Sequence, residues 1–332
     1  PVEALTKSIS NASFSLPLIK GEAHLDSLSA LILNIVNQTN RDLKAEIEVS
    51  PLKGATFPTK RKVVLIPGRN ILPVEFKLEN TNIDFLNKNE FSARITIEGR
   101  TTLINNYLEF YPVVYNKEKI AIDGDLTEYK NISPIILDNL NSLFPVDAYP
   151  NKLWTSAEDL SAKIYLAYDE KHFYFAASVT DDKFIQEQTG TNIWQNDSIQ
   201  IAFDSKNDAL SPEIGGISSY DANDYEYGIA LTPYGPQSFC WFAAEERKER
   251  ESNLVDFPLA IKRINETTTN YELSIPWEYL LPLSPDKGKA FGFNFITLDV
   301  DTKTTASYWM GLTEGIAGGK DPSAYKTFIL MP

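Results

Sequence analysis

Asn192-Ile193-Trp194-Gln195-Asn196-Asp197-Ser198-Ile199-Gln200-Ile201-Ala202-Phe203-Asp204 is the stretch on which the fold turns. Ile199, Ile201 and Phe203 alternate with Ser198, Gln200, Ala202 and Asp204, which is the signature of a strand with one apolar and one mostly polar face. Trp194 stands just ahead of it, where a rigid aromatic can lie at a sheet rim. Gln200 projects from the polar face, close enough to share a ligand with Trp194. An aromatic plane beside amide and carboxylate groups suits a sugar, which has apolar C–H faces and a hydroxyl edge. A tryptophan that merely caps the core fits the same spacing equally well.

The surrounding chain has 332 residues, a length that suggests two domains. No run approaches the ~20 apolar residues of a membrane span. The net charge of −14 argues against nucleic acid and anionic membrane surfaces, which select basic patches. Cys240 is the single cysteine and rules out an internal disulfide; the apolar run Phe239-Cys240-Trp241-Phe242 predicts a buried, inert thiol. A chain that opens on Pro1, with no Met and no signal peptide, reads as a processed protein or a piece of something larger.

Residues 1–116 read as repeated strands. Leu43, Ala45, Ile47 and Val49 alternate with polar residues, as do Leu72, Val74, Phe76 and Leu78, and Phe91, Ala93, Ile95 and Ile97. Turn signals separate them at residues 40–42, 67–70 and 98–100. With residues 28–36 and 107–114 added, about six or seven short strands fit an immunoglobulin-like sandwich. No chemistry is visible here. His24 is read as a lone imidazole in a polar loop without a partner for a metal site, and Lys60-Arg61-Lys62 as a solvated strand start. The domain is expected to be a spacer or docking module.

Residues 117–332 follow the polar break Asn116-Lys117-Glu118-Lys119. Residues 162–168 and 173–179 predict a hairpin turned by Asp169-Glu170-Lys171, and residues 225–231 and 237–243 a second one. Residues 138–160, with Pro145, Pro150 and Trp154, predict a long ordered loop. The charge run 245–251 predicts a solvated loop or short helix. Pro276-Trp277-Glu278-Tyr279 fits one helical turn opened by proline. Phe291, Phe293 and Phe295 begin another strand, and residues 325–330 close the chain as an edge strand.

In this half the motifs Ile122-Asp123-Gly124, Ala162-Lys163-Ile164-Tyr165-Leu166-Ala167-Tyr168-Asp169, Ile193-Trp194-Gln195-Asn196-Asp197-Ser198 and Tyr271-Glu272-Leu273-Ser274-Ile275-Pro276-Trp277 follow in order. Phe291-Gly292-Phe293-Asn294, Asp299-Val300-Asp301 and Asp321-Pro322-Ser323-Ala324-Tyr325 complete the series. Together they resemble a family 9 carbohydrate-binding module over nearly all of residues 118–332. The resemblance implies a β-sandwich related to the DOMON fold, often with bound calcium, attached to secreted polysaccharide-degrading enzymes and hence extracellular or periplasmic. It also implies a site that clamps a terminal glucose or xylose unit between two tryptophans.

Trp194 falls on one clamp tryptophan. The second usually precedes Asp-Pro-Ser, where this chain has Gly318-Gly319-Lys320; the acidic residue of the central strand is Gln200, and a ligand-binding arginine on the next strand becomes Gly228. The fold class expected is all-β, an immunoglobulin-like sandwich followed by a family 9-like sandwich. The function expected is non-catalytic binding of an oligo- or polysaccharide, supporting the catalytic domains of the same or an associated protein. The other reading is a structural sandwich pair with the sugar site lost. The expected sugar site is Trp194, Asn196 and Gln200, with Tyr227, Trp241 and Trp309 as candidate second walls. A missing charged hydrogen bond, worth roughly 1.5–3 kcal/mol, predicts weak binding unless Trp241 or Trp309 supplies the wall. Calcium is expected at Asp181, Asp182, Asp204, Asn207 and Asp208, since it takes roughly six to eight oxygens. A glycosidase would need two carboxylates flanking a cleft, and no pair stands out. Haem would need axial ligands of the Met and His type, which His172, Met310 and Met331 do not convincingly supply.

Overall fold

The computed structural model describes residues 18–145, 154–301, 308–317 and 319–332; Pro150 and Gly318 therefore lie outside the described residues. The first sandwich packs a three-stranded sheet of β1 (Ile19–Ser27), β2 (Ala30–Asn37) and β5 (Ile71–Lys77) against a four-stranded one. The latter runs in the order β4 (Arg61–Ile66), β3 (Leu43–Val49), β6 (Asn89–Ile97), β7 (Arg100–Leu108). Seven antiparallel strands in two sheets are an immunoglobulin-like arrangement. The alternating residues Leu43, Ala45, Ile47 and Val49 meet Leu31, Leu33, Phe76, Phe91 and Ile95 in one core.

His24 departs from the sequence reading. It lies in β1 opposite Ile32, with Nδ1 3.3 Å from Asn34 Nδ2, and burial pushes its imidazole down to about 4. The strand was hidden because Gly21 and Ala23 occupy inward positions. Gly21 is small for a reason: a Cβ there would sit 2.4 Å from Ile104 Cδ1.

The second sandwich begins earlier than the polar break. Residues 107–114 are not one strand: β7 ends at Leu108, and β8 (Phe110–Tyr115) runs parallel to β21 (Lys326–Leu330) and then to β11 (Leu160–Tyr168). It thereby changes sheets at the corner of the second sandwich. One layer continues as β9 (Ile135–Leu137) and β11, then β12 (His172–Asp181), β18 (Thr268–Pro276) and β17 (Leu259–Arg263). The other is β16 (Asn253–Val255), β15 (Gly235–Phe242), β14 (Asp224–Thr232), β13 (Ser198–Asp204), β19 (Ala290–Asp299) and β21. On it β20 (Tyr308–Gly311) pairs with β19 and with β10 (Leu143–Pro145). β21 is an interior strand, not an edge. Phe328 and Leu330 enter the second core while Ile329 enters the first, so both of its faces are buried.

The predicted hairpins are β11–β12 and β14–β15, and the predicted helical turn is the 3-10 turn Trp277–Tyr279. Phe173, Phe203, Phe291, Phe293 and Phe328 form an aromatic core of edge-to-face and tilted contacts, with Phe203 and Phe293 centroids 5.0 Å apart. The two sandwiches are fastened together. Leu28 N donates to Gly288 O at 2.8 Å, Asn207 Nδ2 donates to Leu25 O at 2.8 Å, and Lys289 Nζ lies 2.6 Å from Asp26.

Candidate functional site

β13 turns Ile199, Ile201 and Phe203 into the core and leaves Gln200 and Ala202 on the outer face. Next to it, β14 buries Tyr225, Tyr227 and Ile229 in that core, so Glu226 and Gly228 share the outer face with Gln200. Gln200 is directly opposite Gly228 on one side and Ile296 on the other. β15 carries a bulge against β14: Glu226 pairs with Phe242 and Tyr227 with Cys240, which leaves Trp241 as the extra residue. A bulge of this kind re-aims a side chain. Here it lays the indole over Gly228, where Nε1 donates to Thr191 O at 3.0 Å. A Cβ on residue 228 would fall 2.2 Å from Trp241 Cη2, so only glycine leaves room for the ring.

These elements enclose a cavity of ≈ 410 Å³ lined by Trp194, Gln200, Glu226, Trp241, Trp309, Ile316, Gly319 and Lys320. Trp194 comes from the 3-10 turn Gly190–Gln195 and is 40% exposed. Trp309 comes from β20, where it faces Leu298, and its Nε1 has no hydrogen-bond partner among the described residues. Glu226 is buried at the base and meets Lys320 Nζ at 2.6 Å. Lys320 in turn lies over the Tyr220 ring, 5.8 Å from its centroid. Three indoles, an amide, a carboxylate and an ammonium group therefore converge on one space. It offers apolar planes together with both donors and acceptors.

Of the six residues expected at a sugar site, the structure brings together Trp194, Gln200, Trp241 and Trp309. Tyr227 is not a wall: strand alternation puts it on the opposite face, fully buried, with its hydroxyl donating to Tyr279 O at 2.7 Å. Asn196 is also buried and serves the backbone, accepting from Glu187 N at 3.1 Å and donating to Gln195 O at 2.8 Å. Sequence reasoning missed Glu226 and Lys320. The alternation of residues 225–231 contained the signal for Glu226, since it is out of phase with Tyr225 and Tyr227. Nothing local marked Lys320, which reaches Glu226 from 94 residues away.

Of the expected calcium ligands, Asp181 alone falls in either of the two acidic groups that the structure gathers. Asp181, Asp197 and Asp299 place carboxylate oxygens within 4.8 Å of one another, as do Asp159, Asp299 and Asp301. Asp197 is occupied by Ile185 N and by Val300 N at 2.7 Å, and Asp181 by Lys183 N at 2.8 Å. Neither oxygen of Asp299, a fully buried residue, meets a donor in good hydrogen-bond geometry among the described residues, although the nearby Tyr308 hydroxyl partly counters the rise of its carboxyl. Burial pushes its carboxyl up to about 7, and burial followed by the neighbouring Asp181 raises Asp197 as well. Such a knot of acids fits a hard cation that takes oxygen ligands.

Asp182 stays outside those groups, 3.8 Å from Lys183. Asp204, Asn207 and Asp208 form a separate corner: Asp204 accepts from Ala209 N at 3.0 Å, Asn207 ties to the first sandwich, and Asp208 accepts from Asn223 Nδ2 at 3.1 Å. Cys240 is buried, which pushes its thiol up to about 12, as expected of an inert residue.

A sequence model described as "Carbohydrate family 9 binding domain-like" matches residues 139–331. No curated protein matches the chain. Among solved structures, a family 9 carbohydrate binding module from Caldicellulosiruptor kristjanssonii in complex with cellotriose is similar at 18% identity and a TM-score of 0.47, covering 67% of this chain and 94% of that one. The same module in complex with glucose gives the same identity and TM-score, with 95% of that chain covered. A putative carbohydrate-binding protein from Bacteroides uniformis ATCC 8492 aligns at 12% identity and a TM-score of 0.40, covering 67% and 98%. On the family match, which spans more than half of its length, this chain belongs to the carbohydrate family 9 binding domain-like family.

Proposed function

We propose that the chain binds a gluco- or xylo-configured saccharide, without catalysis, in the cavity formed by Trp194, Trp241 and Trp309. The observation that carries this reading is their convergence with Gln200, Glu226 and Lys320 around ≈ 410 Å³. Indole faces take the C–H faces of a pyranose, and the base of the cavity supplies the partners for its hydroxyls. The wall that the resemblance puts just before Asp321 is replaced by rings from β15 and β20, which offsets the loss that predicted weak binding. Calorimetry with cellobiose and xylobiose on the wild type and on Trp194→Ala tests the proposal. Binding that survives the substitution undiminished places the site elsewhere, and no binding to any glycan on an array refutes it.

In the same reading a calcium ion at Asp181, Asp197 and Asp299 staples the ends of β12, β13 and β19. The two Asp299 oxygens, which meet no donor in good geometry among the described residues, support it. The chain serves as an accessory part of an extracellular or periplasmic polysaccharide-degrading protein, with the first sandwich carrying the binding sandwich. Support for that setting comes from the family alone.

A further inference from the structure

We infer that the cleft between the two sandwiches continues the saccharide site, so that the first sandwich is part of the binding surface and not only a spacer. This inference rests on the saccharide reading above. The cleft has a volume of ≈ 310 Å³ and takes its walls from both domains: Glu22, His24 and Tyr107 from the first, Asp204, Ser323 and Lys326 from the second. Its floor is preformed, because the cross-domain bonds of Leu28, Asn207 and Asp26 hold the two sandwiches in one relation.

The cleft and the tryptophan cavity share a wall. Gly319 and Lys320 line the cavity, while Pro322, Ser323 and Lys326 line the cleft. Lys320 and Pro322 are two residues apart, so their backbones are separated by at most ~7 Å. Tyr325 spans the partition: it lines the cleft while its hydroxyl meets that of Tyr220 at 3.1 Å, under Lys320. A saccharide that leaves the tryptophans on the Lys320 side would meet the cleft next.

The chemistry of the cleft suits a neutral sugar. Tyr107 is 67% exposed on β7 and presents a ring, with Lys88 Nζ 5.9 Å from its centroid. An exposed tyrosine ring at a polar rim offers a stacking face and a hydroxyl together. Lys326 pairs with Glu109 at 2.6 Å, Lys88 lies beside Tyr107, and Glu22 and Asp204 add acceptors, so the cleft offers both donors and acceptors to sugar hydroxyls.

The test is calorimetry of the full chain with cello- and xylo-oligosaccharides of increasing length. Affinity is expected to rise from disaccharide to hexasaccharide. Tyr107→Ala should leave the disaccharide unchanged and weaken the longest chains about two- to twelvefold, the value of one lost stacking contact. Tyr107→Trp should restore the length dependence, and Trp194→Ala should weaken binding at every length. Disaccharide binding with no gain from length, or a gain that Tyr107→Ala leaves intact, overturns the cleft and spares the tryptophan cavity. Absence of binding at every length overturns both.

Discussion

Gly228→Ala tests whether Trp241 is a wall of the site. The backbone at residue 228 is ordinary strand, so alanine is conformationally acceptable; the obstacle is the indole. The added Cβ would lie 2.2 Å from Cη2 and 2.4 Å from Cζ3 of Trp241, and 3.0 Å from Ile193 Cδ1. A rigid bicyclic ring cannot yield by a small rotation, so it must leave its place and give up the 3.0 Å bond from Nε1 to Thr191 O. Forcing an extra carbon into a packed site costs about 1–3 kcal/mol. The lost hydrogen bond adds ~0.5–1.5 kcal/mol. Replacing a strand glycine returns about 0.5–1 kcal/mol. A net loss of roughly 0.5–4 kcal/mol leaves the chain folded and lowers its melting temperature by a few degrees. Binding loses one stacking wall, ~0.5–1.5 kcal/mol, or about two- to twelvefold in affinity. Calorimetry with cellobiose, accompanied by near-ultraviolet circular dichroism of the tryptophans, reads both effects. Wild-type affinity in a folded Gly228→Ala variant whose tryptophan signal is unchanged would refute the reasoning.

Glu226→Gln keeps the shape of the cavity base but removes the charge that faces Lys320, and should lower saccharide affinity roughly tenfold, ~1.4 kcal/mol by calorimetry. Adding millimolar calcium after chelation should raise the melting temperature by mass action, ~2.7 kcal/mol at a hundredfold excess over Kd, and Asp299→Asn should remove that rise. Glu272 gives a pH signature. Burial pushes its carboxyl up from 4.5 to about 7, although it accepts from Asp123 N and Gly124 N. The folded state then holds the proton more tightly than the unfolded one, so its contribution to stability is largest below pH ~4.5 and declines as pH rises to about 7. Comparing melting temperatures of the wild type and Glu272→Gln across that window should show a shallower decline in the variant, and parallel curves would refute the assignment. A fragment starting at Lys117 lacks β8 and should melt less cooperatively than one starting at Glu109, because β8 joins the two sheets of the second sandwich. Equal melting of the two fragments would count against that role.

The all-β class was legible because alternation is a local property: a strand with one buried face must repeat every second residue, as Leu43 to Val49 and Ser198 to Asp204 do. The same rule, applied to residues 225–231, already separates Glu226 from Tyr227. The family motifs likewise read directly from the chain and placed Trp194 and Gln200 on adjoining elements. What lay beyond the sequence was long-range. The fate of Trp241 depends on a bulge that exists only as a mismatch between two paired strands, and on a glycine in the neighbouring strand. Lys320 joins the site through a residue on another strand, and β21 looks like an edge until β8 pairs with it in parallel. The acidic groups were visible as composition, yet which of them gather was set by where β12, β13 and β19 end in space, because a carboxylate cluster is defined by distance and not by spacing along the chain.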